Sequence, residues 1–237
     1  MYEVKNKKTA IYRFETLPST SDYVKEKRAD GQNLIVVAKS QTSGHGTKGR
    51  SFSSTLGGLY MSVLSFPKKL PAKHAFRIMQ TTATAVCETL RTFGIHAKIK
   101  WPNDVLVNGK KICGILIENT FLGGFVQSSV VGIGINVFNA LPNELKEIAI
   151  TIEEATGKKI DVERVEEILL EKLYKRGIWR KYPRYVGFIG EEITLLCGEN
   201  EIFAKMLGVD SEGNLLAETE KGRERFSSAE VSLRGKK

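Results

Sequence analysis

The sequence predicts a mixed α/β fold (α+β): a mixed, largely antiparallel sheet with helices, followed by a small SH3-like β-barrel. Apolar β runs alternate with stretches of helical periodicity in the first part of the chain. The dipeptide Asn108-Gly109 is the strongest two-residue hairpin signal and predicts antiparallel neighbours. Short strands with glycine turns follow. We therefore expect one domain over residues 1–185 and a β-barrel domain over residues 186–237.

The first elements can be justified in chain order. Residues 11–15 are typical of a short strand, and residues 19–22 fit a helix N-cap with an acidic group, leading into residues 23–27. Residues 34–38 form a nearly continuous apolar β run, which is typical of a strand buried on both faces. Residues 59–66 predict another strand.

The middle of the chain predicts one long helix and two hairpins. Apolar residues recur at helical spacing through residues 72–93, and Gly94 follows where this helix would end. The hairpins turn at Asn108-Gly109 and at Gly123-Gly124. Their strands are expected at residues 97–100, 105–107, 111–118 and 125–136.

Two further helix signals precede the change to short strands. Residues 151–154 match a capping box, and Asp161 opens an amphipathic helix. From residue 186 onward the pattern is that of a small β module. Its strands are expected at residues 192–196, 202–209, 215–219, 225–227 and 230–233.

The composition is that of an ordinary soluble protein. A chain of 237 residues, 41% hydrophobic and 27% charged, can bury a sizeable core. No apolar run reaches the ~18 residues of a membrane helix, and the N-terminus lacks signal-peptide character. The 3 cysteines lie far apart, which suits a reducing cytoplasm, and the 3 histidines have no metal-ligand spacing. We expect a cytoplasmic protein without membrane association and without a protein-bound metal.

The net charge of +9 raises the question of nucleic acid binding. Residues 186–237 carry 7 basic and 10 acidic side chains, so the positive excess lies in residues 1–185. It is scattered rather than placed along one helix face with interleaved aromatic residues. This distribution favours an acidic partner or an anionic substrate over DNA.

The glycine-rich loop at residues 41–50 carries the first functional signal. It contains the dinucleotide fingerprint G-x-G-x-x-G and nearly matches a phosphate-binding P-loop, but strand-like, glycine-broken sequence follows it instead of a helix. Both familiar assignments therefore fail on context. The remaining interpretations are a loop that orders around an anion through backbone N–H groups, Lys48 and Arg50, or a mobile surface loop.

The second signal is the run Lys-Trp-Pro-Asn-Asp at residues 100–104. Pro102 holds Trp101 extended, and the two following side chains can shape a turn through hydrogen bonds to backbone. We expect Trp101 to serve in packing, whereas Lys100 can be a surface or a functional lysine. The run Gly-Ile-Gly-Ile-Asn at residues 132–136 is either a β-bulge or a place where a ligand approaches bare backbone.

Taken together, these segments resemble the biotin protein ligase family across almost the whole chain. The run at residues 100–104 is the most specific of them. The other matching segments are Ser19-Thr20, Gln41-Thr42 with the glycine-rich loop, and residues 114–118, 132–136 and 230–234.

The resemblance implies two half-reactions in one site of a catalytic biotin/ATP-binding domain. Biotin attacks the α-phosphorus of Mg-ATP to give biotinoyl-5′-AMP, and a specific lysine of a biotin carboxyl carrier domain then attacks this adenylate. Biotin, ATP and Mg²⁺ are thus the expected small molecules. A cation must lie between carboxylate and phosphate, and Lys100 is the expected catalytic residue. The glycine-rich loop could close over the labile adenylate.

The resemblance also implies roles for binding residues. Ser19, Thr20, Ser21 and Gln41 are expected at the biotin head group, and backbone at His45, Gly46 and Thr47 along its tail. Phe52 stands where the family carries tryptophan near the adenine. The remaining expected contacts to biotin or the nucleotide are Gly44, Arg50, Asn103, Lys111, Gly132, Gly134, Asn136 and Arg234.

The chain departs from the family pattern in the glycine-rich loop. His45 and Thr47 replace two usual arginines, and Ser21 replaces a usual asparagine. The loss of two cations predicts that biotinoyl-AMP is released more readily than in relatives, since each charge-assisted hydrogen bond contributes roughly 1.5–3 kcal/mol. The chain begins about ten residues before its first strand, so we expect the monofunctional type without an N-terminal DNA-binding domain.

Two rival functions come from the same pattern. A lipoate or octanoate ligase shares the fold and the acyl-adenylate chemistry, although the run at residues 100–104 argues against it. A protein that binds biotin with impaired catalysis would follow from the altered loop, although the retained Lys100 argues against that. Exposed strand edges predict a homodimer by sheet pairing.

Overall fold

A computed structural model describes residues 9–198, 200–228 and 232–235. The first part contains seven strands and four helices, with one more short helix before the C-terminal strands. The strands are β1 (Ala10–Leu17), β2 (Leu34–Gln41), β3 (Leu59–Ser65), β4 (Lys98–Lys100), β5 (Asp104–Val107), β6 (Lys110–Leu122) and β7 (Phe125–Ile135). The helices are α1 (Thr20–Glu26), α2 (Phe76–Thr92), α3 (Ile152–Thr156), α4 (Val162–Leu173) and α5 (Tyr182–Tyr185).

These strands form one sheet in the order β1-β2-β3-β7-β6-β5-β4. The pair β1–β2 is parallel, and every other described pair in this sheet is antiparallel. The expected mixed, largely antiparallel sheet is confirmed. Both predicted hairpins form, because Asn108, Gly109, Gly123 and Gly124 all adopt the positive φ that such turns require.

Alternation along the strands divides the apolar side chains between two faces. Leu34 and Val36 pack with Val24 of α1 on one face. Ile35 and Val37 belong to the larger core on the other face, where α2 packs against α4. The period of two in a strand thus explains why a continuous apolar run is buried on both sides.

Helix boundaries follow the capping signals. Helix α1 begins at Thr20, as the predicted N-cap in residues 19–22 implies. The Ser19 side chain accepts a hydrogen bond from the backbone N–H of Asp22 at 3.2 Å. The capping box at Thr151 and Glu154 is confirmed, with both reciprocal hydrogen bonds present.

The C-terminal part forms a second sheet, which is entirely antiparallel in the described residues. Its strands are β8 (Glu192–Cys197), β9 (Asn200–Val209), β10 (Leu215–Thr219), β11 (Gly222–Phe226) and β12 (Ser232–Gly235), in the order β11-β10-β9-β8-β12. The pairings within the described ranges do not close this sheet, so barrel closure and the domain boundary at residue 186 stay predictions.

The two parts are joined by close contacts. The indole Nε1 of Trp101 donates a hydrogen bond to the backbone oxygen of Gly213 at 2.9 Å, and Trp101 is buried, as expected for a packing residue. A β-carbon on Gly213 would lie 2.4 Å from the Phe76 ring, so only glycine allows this approach. Among the described residues, no helix is long and apolar enough to cross a membrane.

Candidate functional site

The predicted site residues converge on one small pocket of about 450 Å³, counted to its open mouth. Its walls come from the start of α1, the end of β2, the glycine-rich loop, and the middle of β6 and β7. The predicted residues that line it are Ser19, Thr20, Ser21, Gln41, His45, Gly46, Thr47, Phe52, Asn103, Lys111, Gly132 and Gly134.

One wall of this small pocket is a network of hydroxyl and amide groups. Gln41 Oε1 accepts hydrogen bonds from the backbone N–H of Thr20 at 2.8 Å and from its hydroxyl at 3.0 Å. The Ser62 hydroxyl lies 2.8 Å from that of Thr20 and 3.0 Å from that of Ser21. Gln41 Nε2 in turn donates to Ser54 at 2.8 Å. The side chains that face the pocket are therefore fixed in position before a ligand binds.

Sequence reasoning missed Ser62 and Ser54. Both are buried, and Ser62 is the one serine or threonine inside the largely apolar run Leu59-Tyr60-Met61-Ser62-Val63-Leu64. A lone polar side chain on a buried strand needs a hydrogen-bond partner, and this requirement is the signal that could have identified it.

Bare backbone forms the floor of the small pocket. A β-carbon on Gly132 would lie 2.9 Å from the Ser21 hydroxyl, and one on Gly134 would lie 2.5 Å from the Phe52 ring. A β-carbon on Gly114, which was not predicted as a site residue, would lie 3.0 Å from both the Phe52 ring and the Lys111 side chain. The side chains of Ser21 and Phe52 therefore approach the backbone closely at these glycines, whereas approach of a ligand to residues 132–136 stays a prediction.

Lys111 supplies the cation of the small pocket. Its Nζ lies 2.7 Å from Asp104 Oδ1 and 5.7 Å from the centre of the Phe52 ring. The antiparallel neighbours β5 and β6 bring the two residues within reach, although Lys111 lies opposite Leu106 and Asp104 lies opposite Gly114. The ion pair holds the ammonium group at a fixed position on the pocket wall.

Lys100 lies in an adjoining larger cleft of about 1370 Å³, again counted to its open mouth. Lys48, Arg50 and Pro102 also line this larger cleft, which runs between the large sheet and the C-terminal sheet as far as Glu212. The two spaces are continuous, since both are lined by Thr47, Asn103, Ile115 and Leu116. The structure thus places Lys111 in the small pocket and Lys100 in the larger cleft.

Three of the predicted residues stand apart. Gly44 and Asn136 line neither space, and Asn136 is buried with its amide nitrogen directed at the backbone oxygens of Lys111 and Ile150, at 3.5 and 3.3 Å. Arg234 lies in β12, and its side chain is outside the described part of the chain. Their roles as ligand contacts stay predictions.

The glycine-rich loop is tied to α1 by a contact between the side chains of His45 and Asp22. His45 Nε2 lies 2.7 Å from Asp22 Oδ2, and both side chains are about half exposed. Burial alone would raise the pKa of the Asp22 carboxyl, but the hydrogen bond and charge of His45, together with Lys25, hold it below its ordinary value of 3.8. The carboxylate is therefore ionised at neutral pH and available to the loop.

Acidic and thiol side chains do not gather around either space. Among the described residues, no group of three His, Cys, Asp or Glu side chains has the geometry to hold a metal ion. Asp104, which lines the larger of the two spaces, is engaged by Lys111.

Comparison with known proteins places this geometry in a family. Residues 13–136 match the biotin/lipoate A/B protein ligase family, and residues 188–234 match the biotin protein ligase C-terminal domain. The bifunctional ligase/repressor BirA of Bacillus spizizenii is 36% identical over 85% of this chain, which spans 66% of that relative's length. The biotin–[acetyl-CoA-carboxylase] ligase of Paracoccus denitrificans is 30% identical, covering 84% of this chain and 90% of the relative.

Solved structures agree with the sequence matches. The biotin protein ligase from Aquifex aeolicus, solved in complex with biotin and ATP, superposes with a TM-score of 0.79 at 32% identity. The match covers 96% of this chain and 99% of the Aquifex chain. The apo structure of the same Aquifex enzyme gives 0.77 at 29% identity.

Proposed function

Because the chain belongs to the biotin/lipoate A/B protein ligase family, we propose that it is an ATP-dependent biotin protein ligase. A biotin carboxylate oxygen attacks the α-phosphorus of Mg-ATP, forming biotinoyl-5′-AMP and releasing pyrophosphate. The ε-amine of a lysine on a biotin carboxyl carrier domain then attacks the acyl carbon, forming the amide and releasing AMP. The observation that supports this proposal is that hydroxyl and amide side chains and the ammonium group of Lys111 line the same small pocket.

The polar wall suits the ureido ring of biotin. That ring offers two N–H donors and a carbonyl acceptor, which the hydroxyls of Thr20 and Ser21 and the amide of Gln41 can satisfy. The buried Ser62 hydroxyl lies behind them and holds the two pocket hydroxyls in position. A lipoyl or octanoyl chain offers no such partners. A purely apolar chain would form no hydrogen bonds with these groups and would displace the water that hydrates their remaining donors and acceptors, which favours biotin. The wall therefore favours biotin over the lipoate or octanoate alternative.

Lys111 and Lys100 have different electrostatic roles in this proposal. Lys111, held at 2.7 Å by Asp104, neutralises the biotin carboxylate as it approaches the α-phosphate. Lys100, with Lys48 and Arg50, faces the larger cleft and stabilises the phosphates there. This assignment moves the central role that the resemblance gave to Lys100 onto Lys111. In this proposal the reaction takes place where the small pocket adjoins the larger cleft. The residues there act by positioning the substrates and not by covalent catalysis.

The experiment that tests this function follows two products. The protein is incubated with Mg-ATP and labelled biotin, and both pyrophosphate and label on a biotin carboxyl carrier domain are measured. We expect Lys111→Ala to abolish pyrophosphate release, and Lys100→Ala to lower it mainly through weaker ATP binding. Lys98→Ala, an exposed lysine on β4, is the matched control and should leave both products unchanged.

Other outcomes would redirect the proposal. Pyrophosphate without transfer would identify an adenylating enzyme with a different acceptor. Biotin binding without pyrophosphate would identify the biotin-binding protein with impaired catalysis. Octanoate incorporation that outcompetes biotin would contradict the role given to the polar wall. A homodimer through sheet edges at β1 or β4 also belongs to the proposal, and sedimentation analysis tests it.

A further inference from the structure

Four ionisable side chains form a chain of contacts that starts at His45 on the lining of the small pocket. His45 of the glycine-rich loop lies 2.7 Å from Asp22 of α1. Asp22 also faces Lys25 at 3.4 Å, and Lys25 pairs with Glu118 of β6 at 2.6 Å. The contacts therefore connect a loop, a helix and a strand that are distant in sequence.

The same three segments build the walls of the small pocket. Ser21 immediately precedes Asp22, and Leu116 lies two residues before Glu118 on β6. His45 itself lines the pocket. A change in the separation of the loop and the helix must therefore change the opening of the pocket.

The glycine-rich loop depends on such a contact for its position. Backbone hydrogen bonds from Thr42 to Leu17 and from Ser43 to Pro18, at 3.0 and 2.9 Å, fix its first residues. Beyond them, the bond from Gly46 N–H to Arg50 folds the loop onto itself and does not attach it to α1. The His45 contact supplies that attachment.

We propose that Asp22 and His45 form a clasp that holds the glycine-rich loop across the mouth of the small pocket and slows ligand release. Both are positioning residues, because they act through the loop and not on the reacting atoms. The identity of the ligand, biotin or its adenylate, rests on the proposed function; the clasp itself does not. His45 thereby contributes to retention in a loop that has lost two arginines.

The contact between Asp22 and His45 should have a small effect on loop opening. Both side chains are about half exposed, and exposed ion pairs are weak, so removal should change loop opening by about two- to five-fold. Lys25 does not substitute for His45, because its stronger contact, 2.6 Å, is with Glu118. The effect should therefore be small but specific to this pair.

Hydrogen exchange measured without ligand tests the clasp directly. We expect Asp22→Ala and His45→Ala each to raise amide exchange in residues 43–52 about two- to five-fold. The double variant should exchange no faster than the faster single variant, because one contact is lost in all three. His45→Arg, which retains a cationic donor, should restore protection. Glu167→Ala removes a somewhat more exposed ion pair with Arg164 on α4 and serves as control.

A second measurement connects the clasp to the ligand. Dissociation of biotin, followed by stopped flow, should accelerate by about the same factor in both single variants. Unchanged exchange in Asp22→Ala and His45→Ala would overturn the clasp. Faster exchange with unchanged biotin dissociation would overturn its role in retention. If the wild-type protein binds no biotin while the exchange result holds, the proposed function fails and the clasp stands.

Discussion

At the scale of single residues, the small pocket is organised by side chains that satisfy one another. Thr20, Ser21 and Ser62 would be costly to bury alone, and they are buried as a hydrogen-bonded group with Gln41. Such mutual satisfaction fixes the hydroxyl positions before the ligand arrives. The cost of ordering them on binding is correspondingly small.

Thr47 tests the consequence of the altered loop. It lines both the small pocket and the larger cleft, so an arginine there can reach an anionic intermediate. We expect Thr47→Arg to slow biotinoyl-AMP dissociation by about ten-fold or more, the effect of one charge-assisted hydrogen bond. Single-turnover trapping of released adenylate measures the rate. Thr92→Arg, at the exposed end of α2, is the control, and equal rates in wild type and Thr47→Arg would refute the expectation.

A substitution at Gly134 tests whether the small pocket requires a residue without a side chain at this position. A methyl group there would lie 2.5 Å from the Phe52 ring and would force the ring to move. We expect Gly134→Ala to lower stability by about 1–3 kcal/mol and to weaken biotin binding, because the displaced ring narrows the pocket. Denaturation and calorimetric titration measure the two effects. Gly187→Ala, whose methyl would meet neighbours at an ordinary 3.4 Å, should change neither; an unaltered affinity in Gly134→Ala would contradict the mechanism.

At the scale of elements, α2 is attached to the turn and helix that precede the C-terminal sheet. Glu88 accepts hydrogen bonds from Lys181 at 2.8 Å and from Tyr185 at 2.7 Å. Burial alone would raise the pKa of Glu88, but these two partners hold it below its ordinary value of 4.5. The ionised carboxylate therefore stabilises the folded state.

The pH dependence of this contact has a definite sign. A carboxyl with a lowered folded pKa contributes stability above its unfolded pKa, and the contribution is lost as pH falls through the folded value. We expect Glu88→Gln to cost about 1–2 kcal/mol at pH 7, with the difference shrinking once pH drops below 4.5. Urea unfolding at several pH values measures it. Glu26→Gln, at an exposed position in α1, is the control, and a deficit independent of pH would argue against the ionic contact.

Elements were predictable where their signals are local. Asn108-Gly109 and the capping box at Thr151 fix a turn and a helix start through neighbouring atoms alone, and both were predicted correctly. The predicted N-cap in residues 19–22 is likewise present at Ser19, where the acceptor is the side chain of the residue that precedes the helix. The partnership of Lys111 with Asp104 depends on strand register, which the sequence does not state.

At the scale of the whole molecule, the family resemblance named residues of both the small pocket and the larger cleft as one site, and the structure separates them into two spaces. Gly114 lines the small pocket, and Ser62 and Ser54 support its polar wall from behind, only because strands and loops distant in sequence lie side by side. Lys100 and Lys111 are close in sequence, yet they face different spaces. Such distinctions arise from tertiary packing and not from residue type.

The junction of the two sheets gives a prediction for the entire chain. Trp101 donates its hydrogen bond to Gly213 within a buried contact, so its loss leaves a buried carbonyl unpaired. We expect Trp101→Phe to lower the free energy of unfolding by about 1–3 kcal/mol and to separate the unfolding of the two sheets. Unfolding followed by circular dichroism and by hydrogen exchange measures both effects. Unchanged stability with one sharp transition would show that the junction does not depend on this bond.

The location of Trp101 also makes its intrinsic fluorescence a probe of the larger cleft. Its indole is shielded from water, borders the larger cleft and is held at the nitrogen by the C-terminal sheet. The other tryptophan, Trp179, lies between the guanidinium groups of Arg77 and Arg180, at 5.0 and 5.2 Å. In a Trp179→Phe background, the emission spectrum therefore reports the cleft alone, and a nucleotide that enters it can be followed in real time without any attached dye.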